Sequence, residues 1–165
     1  MTKDDPFRGE LIAALPKLRR FALTLTRNGA DADDLVQAAC ARALEQMGRF
    51  QIGAKLEPWL YTMVRNIWIS EMRKQKVRVG QGQVVAADTP ELVTQIGGHA
   101  VTYGNQIMDA VMSLPEGLSS VLLLVSVEGR SYRETANILD IPIGTVMSRV
   151  SGGRQRLRAL LQEEA

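Results

Sequence analysis

The sequence predicts an all-α protein: two small helical domains joined by a flexible linker. Three observations carry this. Apolar residues recur at steps of three and four, as at Leu11, Leu15, Leu18, Ala22 and Leu25, and nothing alternates with the two-residue period of a strand. Aromatic residues make up only 5%, so a core must be built from Leu, Val, Ile, Met and Ala, which suits helices better than a β-sandwich. From Val77 to Asn105 the periodicity stops, and Gly80, Gly82, Pro90, Gly97, Gly98 and Gly104 take its place. That stretch separates a first domain at residues 1–76, through a linker at 77–105, from a second at 106–165.

The first helical face runs from Phe7 to Thr26. Pro16 either starts a second helix in its first turn or kinks a continuous one. Arg27-Asn28-Gly29 reads as a helix stop. Asp31 is placed to cap the next helix, with Asp33 and Asp34 in its first turn, where carboxylates complement the macrodipole. Leu35, Ala39 and Ala43 carry that helix to about Met47, and Gly48 ends it. Pro58 fits the first position of a third helix with Leu60, Val64 and Ile67 on one face, reaching about Lys74. A short turn is expected at Glu91–Gln95 in the linker.

The second domain opens with Gln106–Ser113. An apolar helix, Leu118–Val127, follows Pro115 and stops at Gly129. Ser131 and Glu134 form a capping box for a helix over Tyr132–Leu139. Asp140-Ile141-Pro142 is a turn, and Gly144-Thr145 begins a last helix to about Leu161. Helix, short turn and basic helix make a helix-turn-helix, whose second helix usually enters the major groove of DNA. Ala136 falls where the two helices must approach closely, and Ile141 and Val146 can plug the space between them.

Net charge is +2, but its distribution says more. Residues 1–79 carry 14 Lys and Arg against 9 acids, and residues 80–165 carry 6 against 9. Arg65, Arg73, Lys74, Lys76 and Arg78 form one basic cluster, and Arg149, Arg154, Arg156 and Arg158 another. Two separate clusters suggest two contacts with a polyanion, although each alone reads equally as a solvated helix face. Trp59, Tyr61 and Trp68 lie beside the first cluster, where they could stack on unpaired bases or fill a core.

Nothing resembles a catalytic constellation. Cys40 is the single cysteine, read as a small buried residue with no disulfide partner. His99 is the single histidine, which argues against a zinc site or a His-based triad. Asp31, Asp33 and Asp34 lack the ligand spacing of a calcium loop. No phosphate-cradling glycine loop is present. No cofactor, metal or small-molecule substrate is expected. Without a signal peptide or an apolar span, the chain is expected in the cytoplasm with no membrane insertion.

Three runs carry a family resemblance. LPKLRRFALTLTRNGADADDLVQAACARALEQMGRF and EPWLYTMVRNIWISEMRKQ resemble region 2 of the extracytoplasmic-function (ECF) sigma factors, and SYRETANILDIPIGTVMSRVSGGRQRLRALL resembles their region 4. The sequence looks closest to the general-stress-type subgroup. The resemblance implies a transcription initiation subunit, not an enzyme. It would partner core RNA polymerase and promoter DNA, under the control of an anti-sigma factor.

The resemblance also assigns residues. Asp31, Asp33, Asp34, Leu35 and Gln37 match the patch that binds core polymerase. Lys55, Trp59, Arg65, Asn66, Arg73 and Lys74 match the part that opens and reads the −10 element, where the family flips a base into a pocket lined by the loop at 50–56. Arg133, Thr145, Met147, Ser148, Arg149, Ser151 and Arg154 match the −35 reader. The sequence departs from the pattern at Met147, where the family usually has Lys or Arg, and at Gly152, near where it has Arg. Gly152-Gly153 should also weaken the helix by about 1 kcal/mol each relative to Ala. These departures leave room for a sigma-like decoy that binds a regulator without initiating transcription.

Overall fold

The computed structural model describes residues 4–50, 55–80 and 103–163. These residues form seven helices: α1 (Asp4–Thr26), α2 (Gly29–Glu45), α3 (Leu56–Gly80), α4 (Tyr103–Ser113), α5 (Glu116–Leu122), α6 (Tyr132–Leu139) and α7 (Ile143–Glu163). A 3-10 turn at Met47–Arg49 follows α2, and α5 widens into a π-helical turn at Leu123–Val127. The all-α expectation holds. The turn expected at Glu91–Gln95, and His99, lie outside the described residues.

Several boundaries differ from the sequence reading, each for a local reason. Pro16 is exposed inside α1, which continues through it, so of the two expectations the continuous helix holds and no second helix starts there. Arg27 leaves the helix in the left-handed region, at φ +59°. Asn28, not Asp31, caps α2: its side chain accepts from the Asp31 N–H, which puts Asp31 in the first turn. α3 begins two residues before Pro58 and extends six past Lys74. Ser131 caps α6 as expected, accepting from the Glu134 N–H at 3.0 Å. The Glu134 carboxylate points instead at Arg130 and Lys55.

The first three helices pack on one another around Leu18, Phe21, Leu60 and Val64, all sealed from solvent. The last four form a second bundle in which α5 and α6 both rest on α7. Gly153 explains how closely α5 approaches, since a Cβ there would meet Leu122 Cδ1 at 2.8 Å. A side chain here would have to displace Leu122, which is itself buried. Gly152, one residue earlier, faces open space. Gly129, at φ +71°, closes the π turn, with the Arg130 N–H donating to the Leu124 carbonyl at 2.8 Å.

The two bundles are not independent bodies. α1 packs on α5 and the π turn, and α3 packs on α6. One continuous apolar cluster includes Phe21 and Val64 from the first bundle and Val121, Leu124 and Ile138 from the second.

Candidate nucleic-acid interface

Three surfaces carry the residues singled out by the sequence. The first is the outer face of α2, where Asp31, Asp33, Asp34 and Gln37 are all exposed. Asp33 pairs with Arg19 at 2.8 Å, while Asp31 and Asp34 have no ion-pair partner among the described residues. Leu35 does not belong to this surface. It lies one turn from Ala32 and Ala39 on the buried stripe and is only 6% exposed, so it anchors α2 and does not present a contact.

The second surface is α3. Trp59 is half-buried in an aromatic cluster, its ring 5.3 Å from Phe50 and 6.2 Å edge-on to Phe7. Tyr61 is sealed in the core against Phe21, and Trp68 is half-buried. Lys55 is exposed just ahead of the helix, 3.8 Å from Glu134. Asn66, Arg73 and Lys74 are exposed, and Lys74 lies 3.6 Å from Glu71. Only Phe50, Lys55 and Leu56 of the expected base-capturing loop fall within the described residues.

The third is the helix-turn-helix. Ala136 and Val146 are buried between α6 and α7, and Ile141 packs against the same cluster, as the spacing predicts. Asp140 makes the turn in the left-handed region, at φ +53°. With Val146, Val150 and Gly153 inward, α7 shows two flanks. One holds Met147, Ser151, Arg154 and Arg158 along an open groove of about 230 Å³ walled by Tyr132. The other holds Arg149. Ser148 lies exposed between the flanks, its hydroxyl donating to the Thr145 carbonyl at 3.1 Å. Arg133 is exposed on α6, and Thr145 is half-buried.

Arg149 does not face the open groove. Its guanidinium lies over Gly117, in a cleft of about 270 Å³ between the bundles that it shares with Arg65, Trp68 and Ser120. The structure therefore brings one arginine of each expected DNA element together, both half-buried along this cleft. Neither has a carboxylate partner among the described residues.

Around this cleft runs a polar network that the sequence did not disclose. Arg27 reaches from the end of α1 to donate to the carbonyls of Met112 and Leu114 and to the Ser119 hydroxyl. Arg20 pairs with Glu128 at 2.8 Å, and that carboxylate is almost fully buried. Arg130 bridges Glu57 and Glu134 at 2.8 and 3.3 Å, and Lys17 holds the other oxygen of Glu57 at 2.9 Å. The Ser120 hydroxyl donates to Thr24 Oγ1 at 3.1 Å, out of contact with solvent. The one available signal was the opposite charge bias of the two halves. The Arg20–Glu128 pair follows that bias, whereas Arg130 and Glu57 pair against it.

The family model for Sigma-70 region 2 matches residues 11–78, and that for Sigma-70 region 4 matches residues 104–157. The ECF RNA polymerase sigma factor EcfG of Rhodopseudomonas palustris (strain TIE-1) is 38% identical over 98% of this chain and 88% of its own. The chain belongs to the ECF sigma factors. SigW of Bacillus subtilis (strain 168), another member, is 28% identical over 89% of the chain and 84% of its own length. The sigma factor also superposes on Bartonella quintana RpoE, solved in complex with the anti-sigma factor NepR. There the TM-score is 0.74 at 33% identity, covering 98% of both chains. Among the described residues no helix of this sigma factor is long and apolar enough to cross a membrane.

Proposed function

We propose that this sigma factor directs core RNA polymerase to a distinct promoter set in the cytoplasm, the catalytic chemistry belonging to the polymerase. The domains at 1–76 and 106–165 divide the work. The exposed acidic face of α2 docks on the polymerase. Trp59, Arg65, Asn66 and the basic end of α3 engage the −10 element, where extruding a base costs a few kcal/mol, offset by stacking and pocket contacts. The amino-terminal half of α7 engages the −35 element. The observation that carries this reading is the presence, on one chain of the family, of two DNA-type basic helices and a separate exposed acidic face on which Asp31 and Asp34 have no ion-pair partner among the described residues. An anti-sigma factor, as in the RpoE–NepR complex, would hold the chain inactive.

In vitro transcription tests the reading, using purified core polymerase and a pool of promoter fragments. Specific transcripts that appear only with the chain present are expected, and their start sites define the two elements. No transcripts, together with no capture of core polymerase, would overturn it.

A second reading, a decoy that titrates an anti-sigma factor, is favoured by one observation. Met147 is 54% exposed at the position where the resemblance implies a basic residue. The same transcription assay separates the two.

A further inference from the structure

The outer flank of α7 changes character along its length. Past Gly153 it is cationic, with Arg154 and Arg158 on the open groove walled by Tyr132. Its leading two turns are apolar. Ile143 is 47% exposed and Met147 54%, and four residues apart they share one side of the helix. Val146, Val150, Leu157 and Leu160, by contrast, pack inward. Ser148 and Ser151 are exposed beside Met147 but short, and the Ser148 hydroxyl turns back to the Thr145 carbonyl. Met147 is therefore the longest side chain on this face of the leading turns.

Isolated apolar side chains are common on protein surfaces, and it is position that gives this pair a meaning. The leading residues of the second helix of a helix-turn-helix meet base edges in the major groove. Every base pair offers hydrogen-bond donors or acceptors there, and the one apolar group is the C5 methyl of thymine. A thioether carries no proton to donate and no charge to set against a phosphate. What it can select in that groove is the methyl. The long, adaptable methionine side chain suits such a contact. Arg154 and Arg158, further along the same flank, supply the charge that holds a helix on the phosphates.

We propose that Met147 is a specificity-determining residue that reads a thymine methyl group in the −35 element, with Ile143 widening the apolar contact. The preference is for the methyl and not for the base pair, so 5-methylcytosine at the same position satisfies it too. The inference rests on reading α7 as the −35-binding helix.

The test uses holoenzyme assembled with core polymerase, on a promoter fragment whose start site locates the −35 element. Each thymine of the element, on either strand, is replaced in turn by uracil, which keeps the base pair and removes only the methyl. At one position the affinity of the wild type should fall about fourfold, the fold-change that burying one methyl-sized group is worth. At that position 5-methylcytosine should bind more tightly than cytosine by a similar factor. Met147→Ala, at an exposed site where alanine favours the helix, should bind the methylated and unmethylated fragments alike. Met147→Leu, still apolar, should keep the preference. The proposal would be overturned by equal binding of thymine and uracil throughout the element, by an element without thymine on either strand, or by a preference that survives Met147→Ala unchanged. Absence of transcription from every fragment would instead overturn the sigma reading on which the proposal rests.

Discussion

The inward and outward surfaces of this molecule use the same residue types in opposite ways. Facing inward, Arg20, Arg27, Arg130, Glu128, Thr24 and Ser120 each hold a specific partner across the bundle contact. Facing outward, Asp31, Asp34 and Gln37 on α2 and Arg154 and Arg158 on α7 hold none among the described residues. Inward polar groups fix one conformation of the chain. Outward ones add little to folding and are available to a partner.

Two neighbouring arginines on α1 give the largest expected contrast. Arg20 is the partner of a nearly buried carboxylate, and Arg19 pairs with half-exposed Asp33. Arg20→Ala strands the charge of Glu128 and should destabilise the chain by about 2–3 kcal/mol. Arg19→Ala removes a solvent-screened pair and should change stability by less than about 0.5 kcal/mol. Urea denaturation of both variants checks this. Equal losses would mean the inward network is no tighter than an ordinary surface pair.

The two flanks of α7 sharpen the comparison at the level of DNA. Arg149→Ala should cost about 1–3 kcal/mol of promoter affinity if it reads a base, with relaxed specificity at that position. Arg154→Ala, on the outer flank, should weaken binding to all sequences alike and lower the salt slope by about 1. Titrations of holoenzyme on consensus and mutated −35 fragments at several salt concentrations separate the two. Unchanged affinity for Arg149→Ala would remove it from the interface.

How much of this was legible beforehand depends on the range of the interaction. Helix faces, the Ser131 cap, the Gly129 stop and the plug of Ile141 and Val146 are local, set by spacing within a few residues, and the sequence displays them directly. Contacts between bundles are not local. Arg27 meets Leu114 across 87 positions, and nothing in its neighbourhood marks it as more than a helix stop. The cap of α2 lies three residues before Asp31, at Asn28: the two residue types cap equally well, so spacing alone does not choose between them. The family motif puts Leu35 in the polymerase-binding patch, whereas its spacing from Ala32 and Ala39 puts it on the buried stripe, where it lies.

Adjacent glycines in α7 give a smaller contrast of the same kind. A side chain at Gly152 meets nothing, so Gly152→Ala should stabilise the helix by up to about 1 kcal/mol. Gly153 faces Leu122, and Gly153→Val should destabilise by about 1–2 kcal/mol through overpacking. Thermal unfolding of the two variants should move in opposite directions. Parallel shifts would show that α5 can retreat from α7.

The smallest effect belongs to Tyr61, whose hydroxyl is buried beside the inward network without a hydrogen-bond partner. Burial, with the Glu128 and Glu57 carboxylates adding to it, pushes this hydroxyl well above the ordinary phenol range. At neutral pH Tyr61→Phe removes an unsatisfied group, so stability should stay level or rise by up to about 1 kcal/mol. The sign changes little until the unfolded chain begins to ionise. Above about pH 10 the unfolded tyrosine loses its proton while the folded one keeps it, so wild-type stability falls as pH rises toward the folded value. The variant lacks that loss, and its advantage should widen between pH 9 and about pH 10.5 in denaturant titrations. A constant difference across that range would mean the hydroxyl titrates freely and that the bundle contact admits solvent.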